Sequence, residues 1–407
     1  MTLVAPARES ATVAAVRGYT RLVFDGVEHM ASLVEAMHHN IARAPLPFAR
    51  LDEQPAPGIT GLVYRSIRGV TALVRDSLDS MLELAQPLVP ATPGTPAHEA
   101  WRAAINGVLG DHLAATGNPL AIPMRFRQGG RALELNRATL ASAFPAASGH
   151  LLVVVHGLCM NDLQWDRRGH NHASSLARDL GYTPVYLHYN SGLHVSTNGR
   201  EFAALLERLL EQWPVKVRSL DILAHSMGGL VTRSACHYAS DVGQRWTGKL
   251  RKIVFLGTPH HGAPLERHGN RLQLLFGISP YIAPLGRLGM LRSAGVTDLR
   301  YGNLLDTDWA HSDRFAPGGD CRQIVPLPTG VKAYAAAATL GQQAGDIKDR
   351  LLADGLVPLY SALGQHRDPA RRLDFPPARQ WVGSEMSHWD LLGNASLYRH
   401  IRRWLDH

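Results

Sequence analysis

Apolar residues recur along this chain at two different periods, and the change of period divides it. From Val13 onward they fall at Val13, Val16, Tyr19, Val23, Val27, Met30, Val34, Met37 and Ile41. Steps of three and four keep one face of a helix apolar, so an amphipathic helix is expected there. A second stripe passes through Ile67, Val70, Val74, Leu78 and Met81. The proline-rich stretches "ARAPLPFARLDEQPAPG" and "QPLVPATPGTP" bound it and should end the helices on either side. A third helix is expected at about 97–115, with Trp101, Ile105 and Val108 on one face. The stripes are narrow and interrupted by Arg, His and Glu, which favours a helical hairpin packed on itself and on the next domain. Docking on a lipid surface, or homo-oligomer formation through these helices, is the competing reading.

After Pro119 the pattern changes. "AIPMRFRQGGRALELN" alternates apolar and polar residues around Gly129-Gly130, the signature of a β-hairpin. Continuous apolar runs then alternate with helix-period segments. "HLLVVVHG", "YTPVYLHYN", "VRSLDILAHS" and "LRKIVFLGTPH" read as buried strands. "HASSLARDLG", "EFAALLERLLEQW" and "GGLVTRSACHYAS" read as the helices between them. Such alternation predicts an α/β fold with a mainly parallel sheet covered on both faces. Residues 263–330 break the alternation and are too long for a bare loop, so they read as an insertion above the sheet. Strands near "VKAYAAAAT" and "ARQWVGS" and a last helix from Leu391 to Trp404 close the pattern. The expected division is an N-terminal helical region, 1–116, followed by an α/β domain, 117–407.

Composition changes this picture little. The net charge of +8 comes from cations spread along the chain, and no nucleic-acid-binding motif accompanies it, so no nucleic-acid partner is expected. Cys159, Cys236 and Cys321 are too few and too scattered for a disulfide framework or a zinc motif, and are expected to be free thiols. Arg8, Glu9 and Arg17 interrupt any signal-peptide core, and no apolar run is long enough to span a membrane. A cytoplasmic protein with optional membrane-surface contact is the expectation.

The chemistry gathers around "DILAHSMGGLV", Asp221 to Val231. Ser226 stands where an apolar strand turns into a helix, within A-H-S-M-G, a nucleophile-elbow pattern with Ala224 at its first position. The turn is tight, so the residues two before and two after the serine must be small; Ala224 and Gly228 are. A nucleophilic serine needs a base, and the base needs an orienting acid, in the chain order Ser, Asp or Glu, His. Asp354 in "LLADGLVP" is the first choice of acid, ahead of Asp346 and Asp374. His388 in "SEMSHWDLLGN" is the first choice of base, ahead of His366. Two N–H donors are needed for the oxyanion: Met227 at the helix start, and Leu158 after "VVVHG", with Cys159 as its rival. His156, Gly157, His225 and Gly228 are expected to support the site. The pairs His170 with His172 and His260 with His261 lack carboxylate or cysteine partners, so no metal or other cofactor is expected.

"VVVHGL", "LAHSMGGLV", "FLGTPHHGAPLE" and "ADGLVP" together resemble the α/β-hydrolase serine lipases and esterases, and most of all the triacylglycerol-lipase-like and GPI-inositol-deacylase-like proteins. The resemblance covers about residues 120–407. It implies an α/β-hydrolase fold, Ser226, Asp354 and His388 as a catalytic triad, and residues 263–330 as a cap or lid. The expected function is hydrolysis of carboxylic esters with apolar acyl groups through an acyl-enzyme. Leu272, Leu274, Leu275, Phe276 and Ile278 of the insertion could line an acyl pocket or form the cap's own core. The same residues could instead serve a thioesterase, an amidase, a polyester hydrolase or an acyltransferase. A non-catalytic lipid-binding protein is the alternative from another class.

Overall fold

Strand β3 (His150–Val155) shows how the sheet is held. Its odd-numbered residues Leu151, Val153 and Val155 face one layer and Leu152 and Val154 face the other, and all five are fully buried. A strand with period-two side chains can be apolar throughout only if both faces are covered. These contacts come from a computed structural model that describes residues 95–263, 293–310, 320, 322–341 and 354–406, with residues 17, 18, 20, 21 and 25 near the N-terminus. Both expected N-terminal stripes and most of the apolar insertion, residues 264–292, lie outside the described residues.

Among the described residues the sheet has eight strands in the order β2-β1-β4-β3-β5-β6-β7-β8. β1 (Arg125–Gln128) and β2 (Arg131–Ala132) form the hairpin expected around Gly129-Gly130, and β1 pairs antiparallel with β4 (Thr183–His188). From β4 through β3, β5 (Ser219–His225), β6 (Leu250–Leu256), β7 (Lys332–Ala338) and β8 (Gln380–Gly383), every pairing is parallel.

Helix α1 (Pro96–Ala115) precedes the hairpin, and α2 (Arg137–Ala143) follows it, capped by the Asn136 side chain. The crossover helices are α3 (His172–Leu180), α4 (Val195–Gln212) and α5 (Met227–Asp241). The short helices α6 (Ala294–Asp298) and α7 (Leu359–Ala362) come next, and α8 (Ala395–Leu405) ends the chain. Phe202, Leu206 and Leu209 of α4 and Leu230 and Val231 of α5 pack on one sheet face with Val153, Ile222 and Phe255. Leu176 of α3 and Leu397, Ile401 and Leu405 of α8 pack on the other with Val154, Leu223 and Val254. Each such side chain, fully buried, contributes about 1.5–3 kcal/mol. This is the expected α/β-hydrolase fold: a largely parallel sheet, helices on both faces, and a strand-to-helix elbow at its centre.

Helix α4 begins six residues before the apolar period at Glu201 shows it. "VSTNG" has poor helix propensity, but tertiary bonds hold it. Asp298 Oδ2 accepts from Val195 N–H at 2.8 Å, and Ser196 Oγ donates to Asp306 at 2.7 Å.

The chain divides into two compact units. One takes in Leu113–Ala121, where Asn118 Nδ2 donates to Gly18 O at 3.1 Å. The other contains Pro96–His112 and all residues from Ile122 onward. Within it, Ser293 Oγ donates to Gly107 O at 2.6 Å, Ala294 N–H donates to Asp111 Oδ2 at 2.9 Å, and Asn190 Nδ2 donates to Gly110 O at 2.8 Å. Among the described residues no helix is long and apolar enough to cross a membrane.

Candidate active site

Parallel strands present all their C-terminal ends on one edge, and in open α/β sheets that edge is where ligands bind. Ser226 follows β5, the loop from His156 follows β3, Gly257 follows β6, and His388 lies shortly after β8.

Ser226 is the whole turn between β5 and α5. Its backbone, φ 54° and ψ −127°, lies in a region that costs a non-glycine residue roughly 1–3 kcal/mol. The surroundings impose it. Ser226 N–H donates to Leu256 O at 2.8 Å, and Ser226 O accepts from Gly229 N–H at 3.0 Å. A Cβ on Gly228 would lie 2.5 Å from His156 O and 2.6 Å from Val155 O. A Cβ on Gly157 would lie 2.9 Å from Ser226 Cβ. Elbow and β3 loop therefore meet backbone to backbone, which explains the glycines on each side. Ala224, the small residue at the other side of the elbow, is fully buried in the packed core.

Asp354 and His388, 34 residues apart, are in contact. His388 Nδ1 lies 2.6 Å from Asp354 Oδ2, and His388 N–H donates to Asp354 O at 3.1 Å. The other carboxylate oxygen accepts from Leu356 N–H at 2.9 Å and Val357 N–H at 2.7 Å. Both side chains are buried. An ionised carboxylate only accepts, so His388 carries its proton on Nδ1, and Nε2 holds the lone pair. Nε2 is buried and makes no hydrogen bond among the described residues, so Ser226 Oγ and His388 Nε2 are not bonded to each other. The two are nonetheless neighbours across the end of β6. Ser226 N–H bonds Leu256, and the next residue, Gly257, would place a Cβ 2.8 Å from His388 Cε1. Catalytic contacts in unliganded enzymes are often long and shorten when substrate binds.

The flanking histidines are structural. His225 Nε2 donates to His388 O at 3.3 Å, and its ring centroid is 4.6 Å from that of His388. Burial, and after it the proximity of His388, holds His225 neutral, well below the usual histidine range. His156 donates from Nδ1 to Gly157 O at 2.9 Å and stacks on Tyr189 at 4.4 Å; Tyr189 O–H donates to His156 O at 2.8 Å. Burial lowers the His156 pKa to about 4.

Of the two rivals for the oxyanion donor, Cys159 already gives its N–H to Ser191 Oγ at 3.0 Å. Leu158 N–H and Met227 N–H have no acceptor among the described residues. Met227 is the first residue of α5, where N–H groups lack partners within the helix and the helix dipole favours negative charge. Cys159 and Cys236 are buried free thiols pushed up to about 12 by burial; Cys321 lies outside the described residues.

Of the alternatives, His366 accepts Asp368 N–H and its ring centroid lies 4.8 Å from that of His261, Asp374 is exposed, and Asp346 lies outside the described residues. His170 and His172 bond each other at 2.8 Å. The site residue that sequence reasoning missed is Gly257, with φ 58° against the His388 ring; the signal was a glycine directly after an apolar strand in "FLGTPH".

The chain matches a domain of unknown function (DUF7379) over residues 131–298. No curated protein matches its sequence. Among solved structures, the mature form of a Bacillus licheniformis lipase is similar over 65% of this chain and 94% of its own, at 18% identity and a TM-score of 0.42. An esterase of Pyrococcus furiosus is similar over 64% of this chain and 83% of its own, at 12% identity and a TM-score of 0.35. Lipase B of Aspergillus fumigatus is similar over 84% of this chain and 74% of its own, at 10% identity and a TM-score of 0.37.

Proposed function

We propose that this protein is a serine hydrolase that cleaves carboxylic esters with apolar acyl groups through an acyl-enzyme. The observation that carries the reading is His388. One ring nitrogen is tied to the buried Asp354 carboxylate, and the other is buried without a partner beside a strained serine.

In the mechanism, His388 Nε2 takes the proton from Ser226 Oγ as that oxygen attacks the ester carbonyl carbon. The carbonyl oxygen becomes an oxyanion, which Leu158 N–H and Met227 N–H stabilise. Asp354 holds the Nδ1–H tautomer and stabilises the imidazolium that forms. As the tetrahedral intermediate collapses, the C–O bond to the alcohol breaks and His388 returns its proton to that oxygen. Water, deprotonated by His388, then attacks the acyl-enzyme, and the acid leaves with Ser226 Oγ reprotonated. The leucines within residues 264–292 support an apolar acyl group, and residues 263–330 are proposed as the cap over it. The catalytic module is residues 117–407.

A fluorophosphonate probe tests the nucleophile. The folded protein should be labelled, and Ser226→Ala should not. Labelling that persists in Ser226→Ala would end this reading. Rates on p-nitrophenyl esters from acetate to palmitate, with matched thioesters, define the substrate. A flat response to chain length would remove the apolar-acyl assignment while leaving the serine chemistry standing.

A further inference from the structure

Arg233 is a buried guanidinium that no carboxylate among the described residues contacts directly. It lies on α5, seven residues after Ser226, and is 4% exposed. Among the described residues it forms no ion pair. Its guanidinium donates to Val325 O at 2.5 Å and makes a long contact, 3.5 Å, with His260 Nδ1. A guanidinium has five N–H donors, and the buried Nε–H of Arg233 has no acceptor. Nearby Arg322 is satisfied differently: it pairs with Asp320 through Nε and Nη2 at 2.8 Å each and also donates to His260 O and Gly302 O. A buried cation in the first situation is costly unless something compensates it.

Arg233 lines a cavity of about 60 Å³ shared with His260, His261, Asp308, Arg322 and Arg371. His260 is fully buried. Its Nδ1 faces the Arg233 guanidinium and can only accept there, so its proton is on Nε2, a second buried donor with no acceptor. The carboxylate of the lining, Asp308, acts on Arg233 through its charge but makes no hydrogen bond to it, its oxygens accepting the N–H groups of Leu304, Leu305 and Gln323. Arg371 lies 3.7 Å from Asp320 and 3.8 Å from Asp368, at the edge of ion-pair range. Ile324, 54% exposed, also lines the cavity, so it opens to the surface.

We propose that this cavity is a binding site for a small oxyanion, a phosphate group, held by Arg233 with Arg322 and Arg371 around it. Two unsatisfied buried donors and an excess of guanidinium groups ask for an acceptor carrying negative charge, and arginine binds phosphate through paired N–H groups. The volume admits one small oxyanion or a few waters. An open mouth allows that oxyanion to be either the free ion or the end of a larger molecule. Nothing in this assignment depends on the hydrolase reading, because binding rather than turnover is measured.

The test uses the full chain in isothermal titration calorimetry and thermal melts. Inorganic phosphate and glycerol 3-phosphate are compared with sodium chloride at equal ionic strength. The expected result is one-to-one phosphate binding with a rise in Tm, abolished by Arg233→Gln and weakened at least several-fold by Arg371→Ala. Binding of both compounds would mean that the site takes the end of a phosphate ester; binding of phosphate alone would mean the free ion. No binding of either, with chloride matching their effect on Tm, would mean that water fills the cavity and would overturn the proposal. If Arg233→Gln fails to fold, Arg371→Ala decides: affinity unchanged in that variant overturns the assignment.

Discussion

Asp354→Asn separates the orienting role of this carboxylate from its packing role. The amide has the shape of the carboxylate, and its oxygen can keep the bonds from Leu356 and Val357 N–H, 2.9 and 2.7 Å in the wild type. Its NH₂ group then faces His388 Nδ1 across a gap of 2.6 Å. Two donors cannot share that gap, so the ring must move its proton to Nε2. An Nε2–H cannot accept the serine proton. The expected loss is about 10⁴-fold in kcat, equivalent to roughly 5.5 kcal/mol of transition-state stabilisation, with KM little changed. Stability should fall by no more than about 1 kcal/mol, because both backbone donors remain satisfied. Asp354→Ala is less informative: it strands three buried donors at about 1–3 kcal/mol each and confounds folding with chemistry. Steady-state hydrolysis of p-nitrophenyl butyrate measures the effect, and urea unfolding checks the fold. A folded Asp354→Asn variant with kcat within tenfold of wild type would refute the tautomer argument, and with it the role given to Asp354.

Ser226→Gly should abolish turnover and leave the protein as stable as wild type or up to ~2 kcal/mol more so, since glycine accepts the strained backbone at φ 54° but frees the unfolded chain; a clear fall in the urea midpoint would contradict the strain. Gly228→Ala should destabilise by roughly 1–3 kcal/mol and lower kcat, because its methyl meets two backbone carbonyls that cannot rotate away; an unchanged unfolding midpoint and rate would show that the elbow yields. Burial lowers the pKa of His156 and His172 to about 4 and holds His188 and His260 well below the usual range. Each is neutral when folded and titrates near 6.5 when unfolded, so this stability is complete above pH 6.5 and declines as the pH falls toward 4. At full value His172 alone would be worth ~3 kcal/mol. Urea midpoints from pH 8 to 4.5 should fall along that course, and His172→Gln should flatten it; a constant midpoint between pH 7 and 5 would be inconsistent with these burials.

Much of this protein was determined by its sequence. Strands such as "HLLVVVHG" are apolar at every position, which is tolerable only in a sheet covered on both faces, and the helix-period segments between them supply the cover. Ser226 was legible because a strained elbow demands small neighbours close in sequence, and because that demand shows in consecutive residues. Local pattern failed where long-range contact overrides propensity: "VSTNG" is helical because Asp298 and Asp306, about a hundred residues on, bond its first turn. Tertiary structure supplied the contact between acid and base. Sequence context ranked Asp354 ahead of Asp346 and Asp374, but the contact itself needs the loops beyond β7 and β8, which bring Asp354 to His388. The fold also occupies the N–H of Cys159, the rival of Leu158, since the Ser191 hydroxyl that accepts it arrives from the loop after β4. The unpartnered Nε–H of Arg233 is legible only in three dimensions, because the want of an acceptor is a property of what folds around a group and leaves no mark in the order of residues.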